Sequence, residues 1–144
     1  MKNENILFFY QISSFSFTKR NKLKNFMRNL CRKEKKSINE IRIIFSDRKA
    51  MRTINKKFLS HDYDTDIITF PFSNDNMPLE AELYINIPIL KKQAKDYNSS
   101  FKEELHRVIF HGLLHLCGYN DKTPEEINEI RKKENYYLQK YLGK

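Results

Sequence analysis

The sequence predicts an α+β fold, a small mixed four-stranded sheet with helices packed on it, and three observations predict it. Strand-like and helix-like stretches follow one another without strict alternation. Four stretches carry β-branched or alternating apolar residues, while the others repeat apolar residues at helical spacing. The patterns Ser100-Phe-Lys-Glu103 and Thr123-Pro-Glu-Glu126 are helix-start signals, each standing ahead of a helical pattern.

The elements follow in order. Ile6 to Gln11 reads as a strand, and Thr18 to Lys35 as a helix, with Leu23, Phe26, Met27 and Leu30 on one face and Arg and Lys on the other. Ile38 to Phe45 alternates, placing Ile41, Ile43 and Phe45 on one side of a strand. Asp47 caps a helix to about Phe58, with Met51, Ile54 and Phe58 facing the core. Asp66 to Phe72 and Glu82 to Ile87 are strands, joined as a hairpin by a turn around Asn74 to Pro78. Pro88 opens a helix from Ile89 to Tyr97. The helix capped at Ser100 runs to Cys117 with Leu105, Val108, Ile109, Gly112 and Leu116 buried. The last helix, begun at Thr123, buries Ile127, Ile130, Tyr137, Leu138 and Tyr141.

A chain of 144 residues with 40% hydrophobic residues has enough apolar material for one domain, taken as 1–144. The net charge of +9 is uneven: residues 1–60 hold 16 Lys/Arg against 4 Asp/Glu, whereas 61–100 hold 3 against 7. A basic lobe beside an acidic strip suits a polyanion partner on one side and a polar or metal-bearing cleft on the other. No run approaches the ~20 apolar residues that a membrane span requires, and no signal peptide opens the chain, so a cytoplasmic protein is expected. Cys31 and Cys117 lack CxxC spacing, which argues against a disulfide framework or zinc ribbon, and Cys117 reads as a small core residue.

The richest segment is His111-Gly-Leu-Leu-His-Leu-Cys-Gly-Tyr-Asn-Asp121. On a helix, residues four apart stack on one face, so His111 and His115 can reach one ion. Gly118 can then take the left-handed conformation and fold Asp121 back toward it. Three protein ligands leave a position open for water, as catalytic zinc sites do. Gly112 follows the first histidine where a zinc protease carries its glutamate base, which counts against proteolysis. Gly112 is instead expected to admit a close neighbour. His106 lies off the metal face and is expected at the surface. Asp66 and Thr65 are expected to pin a turn, and His61 is either a substrate contact or a loop residue.

The run His-Gly-Leu-Leu-His-Leu-x-Gly-Tyr, preceded by Glu103-Glu104-Leu105, resembles the YbeY family of bacterial endoribonucleases that act as rRNA maturation factors. Asn55-Lys-Lys-Phe58 and Asp62-Tyr-Asp-Thr-Asp-Ile-Ile-Thr-Phe70 are similar to that family's second signature, and the likeness spans about residues 38–142. It implies one zinc ion on His111, His115 and Asp121, and a single-strand endoribonuclease of rRNA maturation and ribosome quality control. The nucleophile would be a water activated by the ion. Implied partners are ribosomal or precursor RNA and a ribosomal protein or ribosome-associated GTPase, with neither DNA nor a membrane involved.

Three positions depart from the family pattern. Asp121 stands where the family has a third histidine, Leu59 where it has a basic residue, usually arginine, and Ala81-Glu82 where it has Gly-Asp. Aspartate ligates zinc, but its charge makes a bound water less acidic and shifts preference toward harder ions such as manganese or iron. With no arginine at 59, Arg107 becomes the candidate phosphate contact, one turn before His111, or else a surface arginine paired with Glu103 or Glu104. The alternatives are a non-catalytic assembly factor with a structural metal and, more remotely, a metalloprotease-like hydrolase.

Overall fold

A computed structural model of the chain describes residues 5–59 and 65–143. The described residues form strands β1 (Ile6–Tyr10), β2 (Ile38–Ser46), β3 (Ile67–Pro71) and β4 (Leu79–Asn86), and helices α1 (Arg20–Lys33), α2 (Arg48–Leu59), α3 (Ile87–Asp96), α4 (Phe101–Leu116) and α5 (Pro124–Leu142). The sheet order is β1-β2-β4-β3, with β1–β2 and β2–β4 parallel and β3–β4 antiparallel. This is the mixed α+β architecture expected, and β3 and β4 form the expected hairpin. No helix of the described residues is long and apolar enough to cross a membrane.

One sheet face makes half of the core. Ile41, Ile43 and Phe45 of β2 and Ala81, Leu83 and Ile85 of β4 are fully buried, because alternate residues of a strand share a face. The other half is α4, which is buried on more than its expected stripe: Phe110, Leu113 and Leu114 are also fully covered. Helix α4 packs against α1, α3, α5, β3 and β4, and so is buried around most of its circumference, Glu104 and His106 included. A Cβ on Gly112 would stand 2.8 Å from Ile67 Cδ1 and 3.2 Å from Leu83 Cδ2, so the sheet approaches α4 through this missing side chain.

Caps set the element ends. Asp47 accepts from Ala50 N at 2.9 Å and starts α2 as expected. Thr123 and Glu126 form a full capping box on α5. At Ser100 only the first half forms, Ser100 Oγ accepting from Glu103 N, while the Glu103 carboxylate lies 3.8 Å from Arg107.

Several expectations are corrected. Strand β4 begins at Leu79 rather than Glu82, since Leu79 N bonds to Ser37 O and extends the ladder beside β2. On α2 the buried face is Met51 and Asn55, leaving Phe58 62% exposed, its ring edge-on to Phe70. Ile127 on α5 is 44% exposed. His106, expected at the surface, is 3% exposed: its Nδ1–H donates to Lys102 O at 2.7 Å and its ring packs on Tyr141, Phe17 and Phe110. Phe17, in the segment ahead of α1, and Tyr141 of α5 cover that side of the helix, which periodicity within α4 alone does not reveal.

Candidate metal centre

Helix α4 ends at Leu116, and Cys117 caps it with its N–H on Leu113 O and Leu114 O. Gly118 follows with φ of +109°, a region that L side chains rarely adopt, and its N–H bonds to His115 O. That turn returns the chain to the helix face carrying the histidines. His111 Nε2 lies 3.4 Å and His115 Nε2 3.2 Å from the same oxygen, Asp121 Oδ2. The three side chains offer ligand atoms within 4.8 Å of one another, so the sequence-derived triad is brought together in space and could hold one ion.

Both rings are fixed through their other nitrogen. His111 Nδ1 bonds to Glu134 Oε2 at 2.5 Å, and His115 Nδ1 to Tyr119 O at 2.9 Å. A carboxylate and a carbonyl only accept, so each Nδ1 carries a proton, and each Nε2, directed at Asp121, is the atom left to ligate an ion. This tautomer is the one a metal needs. Burial disfavours a proton on His111, but Glu134, Asp121 and Asp66 outweigh it and raise its pKa above 6.5. A dication at Nε2 is the counter-charge that this acidic surround otherwise seeks in a proton.

Glu134 is the residue that sequence reasoning missed. It is buried on α5, 23 residues from His111, and it also holds Arg107 Nη1 at 3.2 Å and Arg131 Nε at 3.5 Å. A glutamate in a charged, lysine-rich helix gives no local signal of burial. Its position on the Ile130–Tyr137–Leu138 face was the available clue. Tyr119 is tied in turn: its hydroxyl donates to Glu34 Oε1 at 2.9 Å, and Tyr137 and Lys133 bind Glu34 Oε2. Burial would raise the Glu34 pKa, but these three donors lower it below the usual carboxylate value. Helix α1 thus braces the turn that positions His115.

Arg107 lies one turn before His111, as expected, and bonds to Glu134 and Asn135 with Glu103 nearby. Asp66 stands at the entry to β3, its backbone carbonyl accepting from Asn86 N at 2.9 Å. Its carboxylate is raised by burial, although His111 and bonds from its own N–H, Ile67 N–H and Gln93 oppose the rise. Buried Asn86 fixes the same segment, donating to Thr65 O and taking Ile89 N as the cap of α3. Cys117 is half-buried against the core and is not part of the triad. His61, Asp62 and Asp64 lie outside the described residues.

A cavity of about 560 Å³ opens at the triad, running along β3 past Thr69 to Ser73 and Asn74. The family profile described as Endoribonuclease YbeY matches residues 10–142. The chain belongs to the YbeY endoribonuclease family. Among similar proteins, an Endoribonuclease YbeY of Cytophaga hutchinsonii is 41% identical over 96% of both chains. One of Amoebophilus asiaticus is 35% identical over 96% of this chain and 94% of that one. One of Bacteroides fragilis is 43% identical over 72% and 73%. The solution structure of TM1509 from Thermotoga maritima superposes with a TM-score of 0.67 over 96% of this chain and 89% of that one, and at 24% identity it speaks for the fold. Set against the YbeY pattern stated above, the triad differs at Asp121, whose carboxylate nevertheless reaches both imidazoles.

Proposed function

We propose that the chain is a zinc-dependent endoribonuclease that cleaves single-stranded RNA in rRNA maturation and ribosome quality control, with one ion on His111, His115 and Asp121. The observation that carries this reading is the pair of imidazoles held at Nδ1, with both Nε2 atoms converging on one carboxylate oxygen. The name endoribonuclease borne by the relatives supports RNA as substrate. When bound, a divalent ion acidifies a water and offsets charge on phosphoryl oxygens, the chemistry that phosphodiester hydrolysis requires.

The chain's own residues prepare the site. Glu134 and the Tyr119 carbonyl hold the two rings by Nδ1, which leaves both Nε2 atoms on the side of Asp121. Asp121 closes the ligand set from the turn and leaves a coordination position free. Arg107 is the phosphate contact in place of the family's basic residue, at whose position stands Leu59. The basic helix α1 docks RNA, and the reading extends to a ribosomal protein or ribosome-associated GTPase as partner.

A non-catalytic assembly factor is the second reading. It is favoured by Leu59 and by the cavity at the triad, whose described lining residues include neither Lys nor Arg. Incubation of metal-loaded protein and its His115→Ala variant with precursor rRNA separates the two. Cleavage that disappears in the variant supports the enzyme, and metal-replete protein that binds RNA without cleaving it supports the assembly factor.

A further inference from the structure

Helices α3 and α5 both pack on α4, and a groove of about 370 Å³ opens among the three. His111 and Asp121 line it, so it adjoins the triad on the side away from Ser73 and Asn74. Its lining includes two exposed apolar side chains. Tyr97, the C-cap of α3, is 68% exposed and Ile127 of α5 is 44% exposed. Two cations share the groove: Arg107 and Arg131 both bind Glu134 Oε1, and the Arg131 side chain remains 61% exposed. Of the carboxylates that line it, Glu134, Glu104 and Asp121 are already engaged. Glu134 holds the arginines and His111, Glu104 takes the Ser99 hydroxyl at 2.8 Å, Asp66 is buried, and Asp121 faces the histidines.

An exposed aromatic ring, an aliphatic neighbour and two guanidinium groups held by a buried carboxylate make a nucleotide-shaped set of contacts. A tyrosine face stacks on any base, and arginine offers a planar fork to phosphate. The volume is at the small end of the ~300–1,000 Å³ usual for ligand pockets, which suits one nucleotide and excludes a duplex. A base in a duplex has no free face to give.

We propose that this groove holds one unpaired nucleotide of single-stranded RNA next to the scissile bond. Its base lies against Tyr97 and Ile127, and its phosphate on Arg107 and Arg131. The proposal rests on the ribonuclease reading of the triad. It gives the enzyme its preference for single strands through residues outside the ion site.

The test uses zinc-loaded full-length protein, fluorescence anisotropy with a labelled single-stranded oligoribonucleotide and its duplex, and cleavage of the same strand. Tyr97→Ala weakens single-strand binding about 10-fold, as loss of one stacked base does, and Tyr97→Phe restores it. Arg131→Ala lowers the slope of log affinity against log salt by about 0.7, one phosphate contact on a single strand. Both side chains are mostly exposed, so thermal melting stays at the wild-type value. A 5-iodouridine strand photocrosslinks to Tyr97.

Wild-type protein that binds and cleaves RNA, with Tyr97→Ala equal to it and the crosslink elsewhere, overturns the subsite and leaves the ribonuclease reading standing. Equal affinity for the duplex overturns the subsite as well. Wild-type protein that neither binds nor cleaves removes the ribonuclease reading and the subsite together.

Discussion

At His111 a single imidazole is governed from both ends, by Glu134 at Nδ1 and by Asp121 across from Nε2. The ring cannot turn without breaking the Nδ1 bond, so Glu134 sets both the tautomer and the direction of the lone pair. Glu134→Gln keeps the size of the side chain but removes the charge that makes His111 a better donor. Zinc affinity falls by about 10- to 100-fold in competition with a chromophoric chelator, the range for such supporting groups. His106, on the same helix, responds to pH in a different way. Burial, with Lys102 and Lys22, pushes its pKa below 6.5, although the Lys102 carbonyl pulls the other way. The unfolded chain therefore takes up this proton first as pH falls. The stability linked to neutral His106 is complete above about 6.5 and is lost below it, down through the folded-state pKa. Melting temperatures measured across that window fall less steeply for His106→Phe than for the wild type.

Helix α4 carries the site because the sheet can approach it at Gly112. Gly112→Val forces side-chain atoms into Ile67 and Leu83 and destabilises the fold by about 1–3 kcal/mol, read by urea unfolding. Thr123→Ala removes a full capping box from α5, the helix that delivers Glu134, at a cost of about 1 kcal/mol in the same assay. These elements were legible in the sequence to different depths. Caps and alternation are local signals, so Asp47, Thr123 and the inward face of β2 could be read directly. Burial around α4 was only half legible, since His106 is covered by Phe17, ahead of α1, and by Tyr141 of α5, partners that its own periodicity does not encode. On α2 the expected face of Met51, Ile54 and Phe58 holds at Met51, but packing buries the polar Asn55 beside it, leaves Ile54 half-buried and exposes Phe58. Histidine spacing and the glycine turn gave three side chains of the candidate site, whereas Glu134 and Glu34 act across 23 and 85 residues and left no spacing to recognise.

Across the whole molecule, charge and site are partitioned. The excess of Lys and Arg lies in residues 1–60, which include α1, while the triad and its cavity are built from the later, more acidic part of the chain. On the proposed function such a division separates docking from chemistry, a basic segment for phosphates and an acidic cleft for the cation. Affinity for single-stranded rRNA therefore falls steeply with salt, in proportion to the phosphates neutralised, and affinity unchanged by salt removes α1 from the interface. The fold class was legible because four strands and a helix-rich remainder admit few arrangements at this length. Sheet order was not, because it depends on which strand β4 joins, and β4 lies between its hairpin partner β3 and the parallel β2. The central claim is that one dication sits on His111, His115 and Asp121 and that RNA cleavage needs it. Metal content of dialysed protein, measured by mass spectrometry alongside cleavage of a single-stranded rRNA fragment, tests it directly. The account predicts one equivalent per chain in the wild type, none in His115→Ala, and cleavage only where the ion is retained. Wild-type protein without the ion, or a metal-free His115→Ala that cleaves as the wild type does, contradicts it.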